Sequence, residues 1–279
     1  MIVNINSSKS YVYDESGLIY KGAASMVYKA KDPMNNRTVC LKINPYGNLK
    51  GASALLKTEA LALGNAGSAT CRVPCLIEYW DDVKNKCFYT VMQYIPGESL
   101  RSKMKLMGRR DFMRCMCELC DILDAIHSRH IYHKDLKPEN ILITKEKNPY
   151  IIDFNISIAT PNLTDGTEAY RAPEMKASGL SAARSHADIF SLGVMLYEYF
   201  TGSAPVNGKD YGTGLFTAPT GDWKYFTRPS EKGSGISENL DRAIAKAMER
   251  NPQKRYSKAS ELKRDLLNIL KERPANGQA

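Results

Sequence analysis

Between Ser10 and Ile95 the chain alternates short apolar runs with turn residues. SYVYDE, SMVYKAKD, TVCLKI, CLIEYWDD and CFYTVMQYI are rich in Val, Ile, Tyr and Thr and are separated by Pro, Asn, Gly or Lys, the pattern of strands joined by tight connections. Among them GASALLKTEALALG sets Leu55, Leu56, Leu63 and several alanines at helical spacing and reaches Gly64, which predicts one helix that closes on that glycine. One helix amid antiparallel strands makes a small α+β lobe.

After Ile95 the texture changes. Pro96 and Gly97 break the strand pattern, and Phe112, Met116, Leu119, Leu123 and Ile126 fall on one stripe of a helix. Asp188 to Thr201 is apolar nearly all round, as a central buried helix is; Ile236, Leu240, Ile244 and Met248 form a further stripe, and Leu262, Leu266 and Ile269 the last. The expected fold class is therefore α+β and bilobal: within 1–279, a lobe over 1–94 built on an antiparallel sheet with one main helix, and a larger, mainly helical lobe over 95–279, with Gln93 to Gly97 as the hinge. Gly202 to Gly235, rich in Gly, Thr, Pro and Lys, reads as a long loop.

A length of 279 residues is ample for such a pair of lobes. No run of eighteen uncharged apolar residues occurs, so no membrane span is expected, and MIVNINSSKSYVYDE lacks the basic-then-apolar pattern of a secretion signal. A cytoplasmic setting, or a host cytosol for an exported protein, is the expectation. The formal charge of +9 bears on encounter and not on fold, and no nucleic-acid partner is expected. The densest basic run, Arg101 to Arg110, reads either as a solvated linker before a helix or as a docking patch for an acidic partner. Seven cysteines, an odd number without a secretion signal, suggest reduced thiols. Cys115, Cys117 and Cys120 would diverge on a helix, and Cys71 and Cys75 have no histidine beside them, so all are read as small apolar fillers.

The chemistry is concentrated in YHKDLKPENILI and, after a KEKNP turn, YIIDFN. ILI and YIID read as an antiparallel hairpin, which would bring Asn140 and Asp153 together at one end. An amide and a carboxylate oxygen held there suit a hard cation. Asp135 and Lys137, on the loop leading in, would face the same space. Phosphoryl transfer needs such a set: cations against dense phosphate charge, and a carboxylate to orient the attacking hydroxyl and take its proton.

These segments resemble the eukaryotic-type protein kinase superfamily, over about Gly22 to Arg255. HKDLKPEN resembles its catalytic loop, DFN its Asp-Phe-Gly motif, VCLK the strand bearing its phosphate-binding lysine, and APE (Ala172, Pro173, Glu174) is intact. The resemblance implies an ATP-dependent kinase using Mg²⁺ or Mn²⁺, with Asp135 and Lys137 at the acceptor, Lys42 paired with Glu59 on the nucleotide phosphates, and Asn140 and Asp153 on the metal. It implies that Asp188 braces the catalytic-loop backbone and that Arg255 pairs with Glu174. It also implies a nucleotide pocket using Gly22, Val27, Cys40, Met92 as gatekeeper, the backbone of Gln93 and Ile95, and Leu142. Lys137, with Thr167 in GTEAYR, resembles the serine/threonine branch, so a protein serine or threonine is the expected acceptor. Replacing Asp153 by Ala is expected to abolish turnover and leave the fold intact.

Three departures stand out. The glycine-rich loop maps onto YKGAASMV, with Tyr20 and Ser25 in place of glycines and Gly22 alone retained; this predicts weaker nucleotide binding or slower turnover. Asn155 replaces the glycine of Asp-Phe-Gly, and a rigid, inward Asp153 is expected. Lys134 replaces an arginine whose two parallel bonds a lysine cannot make, so phosphorylation at Ser157, Thr160 or Thr164 is not expected to be the main switch. A pseudokinase acting as a nucleotide-binding or docking scaffold is the alternative, with a small-molecule kinase behind it.

Overall fold

The structure, a computed structural model, describes residues 1–6, 9–22, 24–154, 167–177, 185–205, 228–232 and 236–272. Asn155, Ser157, Thr160, Thr164, the Thr167 side chain, most of the Gly202 to Gly235 stretch and the final polar tail lie outside the described residues. The chain forms two compact units, Met1–Pro96 with Ile152–Ser157, and Gly97–Ile151 with Ile158–Ala279. The architecture is bilobal: an N-terminal lobe of antiparallel sheet and one main helix, and a larger, mainly helical C-terminal lobe.

The first unit holds strands β1 (Ile2–Asn6), β2 (Lys9–Val12), β3 (Leu18–Lys21), β4 (Met26–Asp32), β5 (Arg37–Pro45), β6 (Leu76–Asp82) and β7 (Cys87–Gln93), and helix α1 (Ala52–Ala69). They form one sheet in the order β1-β2-β4-β5-β7-β6, with β3 also paired to β4. Alternation along β5 separates two faces. Val39, Leu41 and Ile43 join Tyr11, Tyr28, Ala30, Tyr89 and Val91 in the core, each large aliphatic contributing roughly 1.5–3 kcal/mol of burial. Cys40 and Lys42 therefore point to the other face.

Helix α1 corrects one expectation: it does not stop at Gly64 but runs on to Ala69. A methyl group on Gly64 would stand 3.1 Å from a Leu76 side-chain carbon. The glycine thus serves close approach of helix to strand and not helix termination. The start of α1 has Gly51 as a cap with no side-chain bond; just inside it, Ser53 donates to Asp81 of β6, which also accepts from the Tyr46 hydroxyl at 2.7 Å.

The second unit contains β8 (Gly97–Ser99), β9 (Ile141–Thr144) and β10 (Pro149–Ile151), with helices α2 (Leu100–Lys103), α3 (Arg109–His127), α4 (Pro173–Ala177), α5 (Ser185–Thr201), α6 (Pro229–Lys232), α7 (Glu238–Ala247) and α8 (Ala259–Lys271). The hairpin read from ILI and YIID is present, Ile141 facing Ile151 and Leu142 facing Tyr150. All five residues of the first predicted stripe are buried on α3, as is every residue of α5 from Ala187 to Tyr197. Helix α8 lacks a capping side chain of its own. Asp124 of α3 supplies one instead, accepting the Ala259 and Ser260 N–H groups at 2.9 Å each, which satisfies orphan donors and sets a negative charge at the positive end of the helix. No described helix is long and apolar enough to cross a membrane.

Candidate active site

In the first unit, sheet register gathers several of the predicted nucleotide residues on one face. Val27 faces Lys42, which faces Thr90, while Lys29 faces Cys40, which faces Met92. Cross-strand partners share a face, so Val27, Cys40, Lys42 and Met92 form a patch opposite the core. Burial pushes the Cys40 thiol up to about 12, which keeps it a neutral apolar wall. The Gln93 N–H is taken by the Cys75 carbonyl at 2.9 Å. Ile95 is buried. Gly22 lies at the β3–β4 turn, its N–H donating to the Ser25 carbonyl at 2.9 Å. Leu142, on β9, belongs to the second unit.

Lys42 donates to Asp153 Oδ1 at 2.5 Å, an ion pair between residues 111 apart in the chain. Burial alone would lower the ammonium pKa, but the Asp153 carboxylate and, after it, Glu59 outweigh burial, and the group lies above its ordinary value. Lys42 is thus held charged by two carboxylates, one from α1 and one from the segment after β10. Asp153 adopts φ 61°, a left-handed conformation uncommon away from glycine. Asp153 thus has a protein partner as well as its expected role on a metal, and removing it strips a largely buried ammonium of its nearest compensating charge.

In the second unit the loop from Tyr132 to Asn140 is anchored from beneath. Asp188, at the start of α5 and fully buried, accepts the backbone N–H groups of His133 and Lys134 at 2.9 Å each and meets His127 Nε2 at 2.8 Å. Lys134 has φ 67°, a conformation costing of order 1–3 kcal/mol that persists only where surroundings impose it. Asp188 imposes it here, as the resemblance implied. Beyond that bend, Lys137 Nζ lies 3.3 Å from Asp135 Oδ2. Asn140 Nδ2 donates to the Asp135 carbonyl at 2.9 Å and its carboxylate at 3.3 Å. Because the amide nitrogen is engaged there, the amide oxygen of Asn140 is directed away from Asp135.

Arg255, with its side chain wholly buried, makes the two parallel bonds to Glu174 at 2.8 Å each, and donates further to the carbonyls of Glu249, Arg250 and His186. The basic run Arg101 to Arg110 is partly consumed within the chain. Arg101 donates to Glu139 at 2.7 Å and Glu198 at 2.6 Å, and also to the Tyr170 hydroxyl, while Lys103 pairs with Glu98. Arg101 and Lys103 thus each already have an acidic partner within the chain.

Sequence reasoning missed His127 and the Arg101, Glu139, Tyr170 and Glu198 cluster. A histidine closing the apolar stripe of α3 was the available signal for the first. Nothing local marks the second, whose members come from four distant segments.

Comparison with known proteins accords with this geometry. Residues 13–267 match the family described as protein kinase domain. The chain is 30% identical over 272 residues to a probable serine/threonine-protein kinase of Clostridium perfringens, which covers 93% of this chain and 38% of that protein. It is 28% identical to a probable serine/threonine-protein kinase of Clostridium acetobutylicum, covering 96% of this chain and 41% of the relative, and 28% identical to the serine/threonine-protein kinase PknB of Mycobacterium leprae, covering 94% and 43%. The chain thus spans less than half the length of each of these relatives. With the Asp188 brace, the Arg255–Glu174 pair and a match over nearly its whole length, this chain belongs to the protein kinase domain family.

Proposed function

We propose that this protein transfers the γ-phosphoryl group of ATP to serine or threonine hydroxyls of a protein substrate. The observation that carries the reading is the Lys42–Asp153 ion pair, which sets a charged lysine on the nucleotide face beside a carboxylate left 38% exposed. Lys42, kept protonated by Asp153 and Glu59, would hold the α- and β-phosphates, with Val27, Cys40 and Met92 beside the adenine. Asp135 would orient the acceptor hydroxyl and take its proton. Lys137, 3.3 Å from that carboxylate, would balance its charge and reach the migrating phosphoryl.

The donor set also fits a divalent cation. The amide oxygen of Asn140 and the carboxylate of Asp153 would each be a hard oxygen ligand of the kind Mg²⁺ prefers, and the cation, when bound, would neutralise phosphate charge. Lys137 and the similarity to serine/threonine-protein kinases favour serine or threonine over tyrosine. The loss of glycines at Tyr20 and Ser25 is the observation that keeps a nucleotide-binding scaffold as a second reading.

The test is label transfer from γ-labelled ATP, with Mg²⁺ or Mn²⁺, to a generic basic protein, comparing the wild type with Asp135→Asn and Asp153→Asn. The wild type should incorporate label and each variant should fall by about a hundredfold or more. Undiminished transfer by either variant overturns the assignment. A wild type whose melting point rises with ATP and Mg²⁺ yet transfers no label is the scaffold.

A further inference from the structure

Tyr20 stands where the kinase pattern has a glycine, and the structure gives it a place. It lies opposite Val27, which lies opposite Lys42, so the three side chains share one face of the sheet. A bulge makes this so. Leu18 pairs with Tyr28, a core residue, yet Tyr20 pairs with Val27, one position along β4 for two along β3. Without the extra residue Tyr20 would share the face of Leu18; the bulge re-aims it onto the face of Lys42.

The ring then leans over the turn. A methyl group on Gly22 would stand 2.5 Å from the Tyr20 hydroxyl oxygen and 2.7 and 2.9 Å from two ring carbons. Tyr20 is 57% exposed, so it is not a core filler. Strands β3 and β5 lie two spacings apart, about 10 Å, and the tyrosine and lysine side chains rising from them flank the space above Val27.

We propose that Tyr20 is a nucleotide-binding residue: its hydroxyl donates a hydrogen bond to a phosphate oxygen of the bound nucleoside triphosphate from the side opposite Lys42. Gly22 is retained because the ring needs the space a side chain would fill. The hydroxyl thereby supplies a donor where two glycines, which would let backbone N–H groups approach, are missing. The inference rests on the nucleotide reading above.

Displacement of a fluorescent nucleotide by ATP, ADP and adenosine tests it on the wild type, Tyr20→Phe, Tyr20→Gly and Lys42→Ala. Tyr20→Phe should weaken ATP and ADP about tenfold or more, the loss of a bond to a charged acceptor, and leave adenosine unchanged. Tyr20→Gly should be at least as weak for ATP as Tyr20→Phe. If Tyr20→Phe matches the wild type while Lys42→Ala weakens ATP, the role of Tyr20 is wrong and the nucleotide reading stands. If Tyr20→Gly binds ATP more tightly than the wild type, the ring is an obstruction and the proposal fails. If the wild type binds neither ATP nor ADP, both readings fall.

Discussion

Asp188→Asn isolates the brace under the catalytic loop. One carboxylate oxygen accepts from His127 and His133, the other from Lys134. An asparagine can keep its oxygen toward the first pair only by turning its own N–H₂ toward the Lys134 N–H. That leaves one buried donor unsatisfied, at about 1–3 kcal/mol, and turns a charge-assisted bond into a neutral one, at about 1 kcal/mol more. The expected loss is therefore about 2–4 kcal/mol, a large part of an ordinary domain stability. Asp188→Ala, with all three donors abandoned, should cost more. Urea unfolding followed by fluorescence measures both. Activity should fall by about a hundredfold even where the protein is folded, because Lys134 is released from its strained bend and Asp135 follows it. The reasoning is refuted if Asp188→Asn unfolds within about 0.5 kcal/mol of the wild type, or if Asp188→Ala is no worse than Asp188→Asn. The same site has a pH signature. Burial pushes the Asp188 carboxyl up, but the bond and charge of His127, then His133, bring it below its ordinary value. Its contribution to stability is complete above the ordinary carboxylate value, about pH 4, and is lost as pH falls through the lower folded value.

Arg255→Lys keeps the charge but cannot reproduce the paired bonds to Glu174 or the three carbonyl contacts; a loss of about 3 kcal/mol is expected, read as a lower thermal midpoint, and an unchanged midpoint would discount the pair. Cys115, Cys117 and Cys120 are buried, and burial pushes the first two thiols up to about 12 and about 11 and the third well above its ordinary value. An aromatic disulfide reagent should therefore label the exposed Cys71 and Cys75 quickly in the native protein and reach the three α3 thiols only on unfolding; rapid native labelling of α3 would contradict the packing described.

Much of the fold was legible because burial writes itself into local periodicity. The stripes of α3, α7 and α8 and the apolar runs of β4 to β7 needed no knowledge of their partners. Elements whose signature is not local were lost. Every residue of β3 is exposed, so it shows no alternation, and β8 is three residues following a proline. Gly64 obeyed the rule for a helix end, but the deciding fact was Leu76, twelve residues on. The site divides in the same way. Asp135, Lys137 and Asn140 lie within six residues and could be read together. The bond between Lys42 and Asp153 could not, since the resemblance offered Glu59 as the partner of Lys42 and a metal as that of Asp153. Arg101 was read with its basic neighbours because a linear chain cannot display Glu139, Tyr170 and Glu198 around it.

The brace from Asp188 also sets an order of events during synthesis. Lys134 precedes it by 54 residues, and at roughly 5–20 residues per second the ribosome needs about 3–11 s to deliver the carboxylate after the bend it must hold. During that interval the loop from Tyr132 to Asn140 is without the carboxylate that accepts its His133 and Lys134 N–H groups. The bend at Lys134 is thus held only once α5 has been made, so a nascent chain cut short before that helix would lack the acceptor that braces the loop.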